Sequence, residues 1–262
     1  MKPPLISIIT ISLNAEDHIE QTIQSVLSQT YQNTEYILVD GGSTDRTAEI
    51  INQYKDRIDH FISERDEGIA DAMNKGVALA TGDYVIFLHA DDYFKNGSSL
   101  ENAVAHLDKT TEILACDIQF GKRLRPCKPR GFNFWFNFKQ GIYHQGALCH
   151  RSLIEELKGF DTQFRIAMDY DFFVRAYRRR ARLVKAPVTL AVMRDTGISS
   201  RRDWKNLKIR FDEERKVQEK NCRSFPMRML YNLFWFLYLP YRQACYTIVG
   251  KKRGRNRDEK YT

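Results

Sequence analysis

The first ninety residues predict an α/β domain built on a largely parallel sheet, and three observations carry that reading. Short apolar runs rich in β-branched residues recur at Leu5–Leu13, Tyr36–Asp40, Ile58–Ser63 and Tyr84–His89. Between them lie Glu16–Ser28, Thr44–Tyr54 and Gly68–Ala80, each with apolar residues at helical spacing. Three of the four runs end in polar residues: Ser12-Leu13-Asn14, Asp40 followed by GGSTD, and His89-Ala90-Asp91-Asp92. Strands alternating with helices mean parallel strands joined by crossovers and buried on both faces. In such a sheet, ligands bind beyond the carboxyl ends of the strands.

Each element has its own signature. Leu5–Leu13 follows Pro3-Pro4 and runs into Asn14, Glu16 and Asp17 with no small-residue cleavage site, so it reads as a buried strand and not as a secretory leader. Glu16–Ser28 sets Ile19, Ile23, Val26 and Leu27 on one side. Thr44–Tyr54 has Ile50 and Ile51, and Gly68–Ala80 has Ala72, Met73, Val77 and Ala80 facing inward. From about Leu100 to Arg180 the pattern is less regular. Phe132–Phe138 is dense in aromatics and reads as core or as a platform for a sugar ring. Arg178 to Arg182 reads as a solvated helix end.

Composition narrows the partners. The chain has 262 residues, 43% of them hydrophobic, enough for one substantial core with an appendage. Its net charge is +8 and very unevenly spread. From Arg201 onward there are 17 lysines and arginines against 7 aspartates and glutamates; before it, 24 against 26. A near-neutral body with a basic tail is not the pattern of a nucleic-acid binder, whose basic face sits on the recognition domain. Five cysteines without a C-x-x-C pair argue against a disulfide framework and for a reducing compartment. Residues 1–200 are therefore read as the catalytic domain and 201–262 as a helical, basic extension. In that extension Met227–Val249 is apolar and aromatic but interrupted by Arg228, Pro240 and Arg242. Spanning a bilayer takes about 20 apolar residues. The segment reads instead as an interfacial helix, with packing on the domain or a dimer contact as the alternatives.

Carboxylates carry the chemistry. Asp40, followed by two glycines, accepts a hydrogen bond from a nucleobase N–H or forms a turn and helix cap with Ser43 and Thr44. Asp91 and Asp92 are adjacent hard oxygen donors at a strand end, suited to Mg²⁺ or Mn²⁺ bridging a diphosphate, or else a solvated acidic turn. Asp169 and Asp171 begin a helix whose inner side is Phe172, Phe173 and Ala176. Either is a candidate general base for an acceptor hydroxyl, and both are also favoured there by the helix dipole. His144, with Gln145, precedes a small strand as a structural residue or a site participant, and Arg65 meets a phosphate or pairs with Glu64 or Asp66.

Four stretches, in order, cover roughly residues 5–200: SIITISLNAEDHIEQTIQSVLSQTY, YILVDGGSTDRTAEII, SERDEGIADAMNKGVALATGDYVIFLHADD, and HQGALCHRSLIEELKGFDTQFRIAMDYDFFVR. Together they resemble the family 2 glycosyltransferases, whose catalytic domain has the GT-A fold. EGIADAMNKG is most similar to members that build bacterial O-antigen, colanic acid and other exopolysaccharides. The resemblance implies that Ser12 and Leu13 lie against the nucleotide base, that Asp40 binds uracil and that Asp71 lies near the nucleoside. It further implies that Asp91 and Asp92 are the metal and diphosphate carboxylates, and that Asp169 is the catalytic base of a single inverting displacement. Arg194–Ser200 matches a loop that closes over the diphosphate. Three positions depart from the pattern: His89, Leu13 and Met168 stand where members commonly have Asp or Asn, an aromatic, and a first carboxylate.

The function expected is an inverting, metal-dependent, UDP-sugar-using transferase. It would act on a lipid-linked oligosaccharide while peripheral at the cytoplasmic face of the inner membrane. A sugar nucleotidyltransferase is expected to carry a glycine-rich loop with a basic residue after the first strand, where this chain reads NAEDHIE. A non-catalytic membrane-bound scaffold retaining the fold is the remaining alternative.

Overall fold

The computed structural model describes residues 3–121, 126–194 and 203–258, with side chains as far as residue 248. The chain divides into two compact units, Met1–Ser200 and Arg201–Thr262.

The first unit is an eight-stranded sheet with the order β3-β2-β1-β4-β7-β6-β8-β5. The strands are β1 (Ile6–Ser12), β2 (Thr34–Asp40), β3 (His60–Ser63), β4 (Tyr84–Phe87), β5 (Tyr93–Phe94), β6 (Ile113–Phe120), β7 (Ala147–His150) and β8 (Leu183–Met193). The helices are α1 (Ile19–Leu27), α2 (Thr47–Asn52), α3 (Ile69–Leu79), α4 (Ser99–Val104), α5 (Arg151–Glu156) and α6 (Met168–Arg179). As the alternation predicts, β1, β2, β3 and β4 pair in parallel. β7 enters antiparallel between β4 and β6, β8 runs parallel to β6, and β5 closes the far edge antiparallel to β8.

All seven residues of β1 are buried, the expected state of a central strand covered on both faces. Ile6 and Ile8 join Ile19, Ile23 and Val26 of α1, together with Tyr36, Leu38 and Ile86, in one apolar cluster. On the opposite face α3 lies so close that a Cβ on Gly76 would stand 2.5 Å from Ile9 Cγ2. β1 is also where the strand order reverses, with β2 on one side and the later β4 on the other. The carboxyl ends of those three strands therefore open on a common crevice.

β6 and β8 lose register at Cys116–Ile118, where Cys116 faces Ala186 and Asp117 faces Thr189. Pro187 lies in the skipped stretch and has no N–H for the ladder, which accounts for the irregularity. None of the five cysteines is bonded to another. Burial pushes the thiols of Cys116 and Cys149 up to about 12.

In the second unit, α7 (Trp204–Asn221) and α8 (Phe225–Asp258) pack through Phe211, Trp235 and Tyr238, whose rings lie 5.7–6.0 Å apart across the pair. Trp235 Nε1 donates to Gln218 Oε1 at 2.6 Å, and Asp203 caps α7 by accepting from Asn206 N at 3.0 Å. Another side of α8 leaves Met229, Leu233, Phe236, Leu237 and Tyr241 exposed. Among the described residues no helix is long and apolar enough to cross a membrane.

One carboxylate ties the parallel half together at the end opposite the crevice. Glu35 at the start of β2 accepts from Thr81 N (2.6 Å), Thr81 Oγ1 (2.8 Å), Gly82 N (2.8 Å) and the Ser7 hydroxyl. Burial acts to raise its pKa, but these four donors outweigh it and hold the carboxyl below the usual range. Its stabilising contribution is thus full above the unfolded-state pKa and declines as pH falls through the folded one. Glu35→Ala strands buried donors and is expected to lower the unfolding free energy by about 1–3 kcal/mol at neutral pH. The gap from wild type should shrink toward pH 3 in urea titrations; a gap independent of pH would contradict this account.

Candidate active site

The end of β2 presents Asp40, which is fully buried. A carboxylate there demands donors, and three serines from three segments supply them. Oδ1 accepts from Ser12 Oγ (3.2 Å) and Ser43 Oγ (2.5 Å), and Oδ2 from Ser43 N (3.0 Å) and Ser63 Oγ (2.8 Å). Sequence reasoning paired Asp40 with Ser43 but missed Ser63, which arrives from β3. A nucleobase N–H reaching Asp40 must displace one of these hydroxyls. Leu13 beside it is 56% exposed, an apolar surface at the crevice mouth. Asn14 turns the chain there with φ 49° and accepts from Thr44 N at 2.9 Å, locking the loops after β1 and β2 together.

Residues 64–71 form the next wall. Glu64 N donates to Asp40 O at 3.0 Å, and a Cβ on Gly41 would sit 2.2 Å from Asp66 Oδ2, so a larger residue there would push the Asp66 side chain aside. Asp66 is raised in pKa, chiefly by burial. The Arg65 side chain is exposed next to this wall. Asp71 accepts from Glu67 N at 3.1 Å and pairs with Lys75 at 3.3 Å in the first turn of α3, so it shapes the turn that carries Arg65 and Asp66.

Beyond β4 the chain stays alongside β1, with Leu88 N bonded to Ile9 O (2.9 Å) and Ala90 N to Ile11 O (3.1 Å). Thr22 of α1 lies with its hydroxyl 2.8 Å from Ala90 O and 2.7 Å from Asp92 O, pinning the acidic loop. Asp91 is half-buried and Asp92 is buried. Asp92 accepts from Gln145 Nε2 (3.0 Å) and from Arg194 N (3.3 Å). Burial first, and the neighbouring Asp91 charge second, push the Asp92 carboxyl well above the usual range. The Arg194 guanidinium bonds Asp91 O at 2.6 Å and the Gln21 side chain. The rest of the expected loop, 195–200, lies outside the described residues.

Asp169, at the start of α6, receives three donors: Gln140 Nε2 (2.6 Å) and His144 Nδ1 (3.2 Å) at Oδ2, and Tyr170 N (2.7 Å) at Oδ1. The His144 ring packs on His89, centroids 4.4 Å apart. Desolvation holds the His89 pKa well below its ordinary value, so that ring packs as a neutral aromatic. Phe136 and Phe138 are core, whereas Phe134 and Trp135 are 51% and 67% exposed. The aromatic stretch thus divides between the two roles its sequence allowed. Tyr170 OH, adjacent to Asp169, bonds Asn137 O at 2.9 Å and ties this stretch to α6.

Asp171 has a different setting. It is fully buried and ion-paired with Arg175 at 2.7 Å, and Arg175 in turn bonds the carbonyls of Leu157 and Gly159 behind α5. That is a structural bond between α6 and the α5 end, whereas Asp169 retains 12% side-chain exposure. Among the described residues, no group of three or more His, Cys, Asp or Glu is placed to hold a metal ion. Asp91 and Asp92 supply two hard oxygen donors, and Mg²⁺ commonly takes only one or two carboxylates and completes its shell with substrate phosphates.

A family model described as "Glycosyl transferase family 2" matches residues 7–182. An uncharacterized glycosyltransferase of Mycobacterium tuberculosis is 34% identical over 211 residues, 76% of this chain and 79% of that protein. Among solved structures, the Pyrobaculum calidifontis mannosyltransferase PcManGT in complex with GDP-Man and Mn²⁺ superposes with TM-score 0.69 at 20% identity, over 95% of this chain and 74% of that one. S. aureus TarS 1-349 in complex with UDP-GlcNAc superposes with TM-score 0.66 at 18% identity, over 82% of this chain and 66% of that fragment. The fold is that of the GT-A glycosyltransferases.

The two neighbouring carboxylates should separate in a stability measurement. Asp171→Ala leaves Arg175 without its buried partner and is expected to cost on the order of 3–5 kcal/mol of unfolding free energy. Asp169→Asn should cost less, about 1–2 kcal/mol, because the amide keeps one oxygen for Gln140 and His144 and loses only the acceptor facing Tyr170 N. Equal denaturation midpoints for the two variants would refute this assignment.

Proposed function

Because the chain belongs to glycosyltransferase family 2, and so transfers a glycosyl group, we propose that it uses a nucleotide sugar, a UDP-sugar, in a single inverting displacement on a saccharide hydroxyl. The observation that carries this reading is the meeting of two kinds of carboxylate on one sheet: Asp91 and Asp92 beyond β4, and Asp169 held by Gln140 and His144 at the start of α6. Ser12, Leu13 and Asp40 receive the base, with Asp71 and Arg65 on the adjoining wall. Asp169 takes the proton of the acceptor hydroxyl. The acceptor oxygen bonds to the anomeric carbon as the bond from that carbon to the diphosphate breaks, and the nucleoside diphosphate leaves. Two hard oxygens whose mutual repulsion and burial already raise the Asp92 pKa fit a divalent cation. Asp91 and Asp92 would hold Mn²⁺ or Mg²⁺, which supplies the counter-charge for the departing diphosphate.

Release of UDP from UDP-GlcNAc, or of GDP from GDP-Man, tests the reading directly. Turnover is expected to need Mn²⁺ or Mg²⁺ and to collapse in Asp92→Ala. Asp169→Asn should keep donor binding and lose on the order of 10²-fold or more in rate. Full activity in EDTA would remove the metal from the proposal. An active Asp169→Asn alongside a folded but inactive Asp171→Asn would transfer the base to Asp171.

The acceptor we propose is lipid-linked, as in assembly of bacterial surface polysaccharides such as O-antigen, and the enzyme works peripherally at the cytoplasmic face of the inner membrane. The exposed apolar side of α8 supports this, since aromatic residues there precede the basic run KKRGRNR. Insertion and attraction to anionic lipid act together, each basic residue near the surface adding about 1 kcal/mol. Binding to anionic vesicles is expected to weaken with salt and to fall when residues after Phe225 are deleted, with donor binding retained. A folded truncated protein that binds such vesicles as tightly as the full chain would rule the membrane role out.

A further inference from the structure

The carboxylates assigned above to the base and to the diphosphate come from distant parts of the chain, yet one short stretch touches both. Gln140 Nε2 and His144 Nδ1 reach Asp169 Oδ2 at 2.6 and 3.2 Å, and Gln145 Nε2 reaches Asp92 Oδ2 at 3.0 Å. His144–Gly146 forms a single turn of 3₁₀ helix that leads into β7, the strand inserted between β4 and β6. The turn sits tightly: a Cβ on Gly146 would stand 2.7 Å from Ile118 Cγ2 and 2.8 Å from Cys116 O of β6. Gln140 is itself fixed by a 3.0 Å bond from Nε2 to Ile142 O, and Gln145 is 3% exposed. We propose that residues 140–145 are a positioning element that sets Asp169 against the diphosphate carboxylates: Gln140 and His144 orient the base, and Gln145 orients Asp92.

The chemistry of the donors favours this over mere packing. An acceptor-only carboxylate that has to take a proton must keep one oxygen lone pair aimed at the incoming hydroxyl. Two side-chain donors on Oδ2 and the Tyr170 N–H on Oδ1 fix the plane of the group while leaving acceptor sites open. His144 donates through Nδ1, so in its neutral form Nε2 is an acceptor, and Nε2 is buried with no hydrogen-bond partner among the described residues. The ring therefore works in one direction only, toward Asp169, and its packing on His89 sets the plane from which it does so.

The inference rests on Asp169 being the base, and the test separates the two. Steady-state release of UDP from UDP-GlcNAc, or of GDP from GDP-Man, is measured for the full chain, using whichever donor the wild type turns over faster. Gln140→Glu keeps the shape but replaces the donor with a second carboxylate, and is expected to lower kcat by about 10- to 100-fold, with donor KM within about twofold. Asparagine carries its N–H where the imidazole has Nδ1, and glutamine where it has Nε2. His144→Asn should therefore retain kcat within about threefold, while His144→Gln falls by about 10-fold or more. In an Asp169→Asn background none of these changes should cost anything further, because the group they orient is gone. A Gln140→Glu enzyme with wild-type kcat, or equal losses in His144→Asn and His144→Gln, would overturn the positioning role while leaving the base in place. An Asp169→Asn enzyme of wild-type rate would overturn the base itself, and this inference with it.

Discussion

A buried carboxylate has to be met by donors, and this domain is organised around four of them. Asp40, Asp92, Asp169 and Asp171 are each at most 8% exposed; the first three are answered by a segment far away in sequence, and Asp171 by Arg175 four residues on. Ser63 comes from β3 to Asp40, Gln145 from before β7 to Asp92, Gln140 and His144 to Asp169, and Arg175 runs on from Asp171 to the end of α5. Leaving any of these acceptors unmet costs more than the net gain of an ordinary hydrogen bond. The apolar sheet supplies the cohesive energy, while the carboxylates dictate which loop meets which. The crevice is thereby held in shape by the same groups that would do its chemistry.

The parallel half was legible because burial on both faces leaves a loud signature. Leu5–Leu13 and Tyr36–Asp40 are continuous apolar runs, and the helices between them keep a 3.6-residue period. The second half was not legible for equally physical reasons. β5 has two residues and β7 has four, too short for any period to register. β8 is broken in pattern by Pro187, so its eleven residues do not read as one strand. The two-helix unit was visible as a charged helix followed by an aromatic one.

Candidate acids were visible at the site, but only some of their partners were. Asp91, Asp92 and Asp169 announce themselves as carboxylates at element ends, whereas Gln140 and Ser63 are ordinary polar residues with no spacing to mark them. Helix position alone did not separate Asp169 from Asp171, since both open the same helix, and only the family resemblance put Asp169 first. Two residues on a helix are rotated by about 200°, so the pair necessarily faces different surroundings. One meets Gln140 and His144 and the other meets Arg175.

The irregularity at Pro187 has a colloidal consequence. β8 is the longest strand, and β5 covers it only along Ala191 and Val192. Among the described residues, the stretch from Leu183 to Thr189 has no strand on that side. A long bare strand border is a template on which another chain can add itself. Here that border carries the exposed Lys185, whose charge a newcomer would have to bury, and the register break at Pro187, which leaves no regular ladder to extend. The irregularity that interrupts the β6 ladder thus also guards the sheet against self-association.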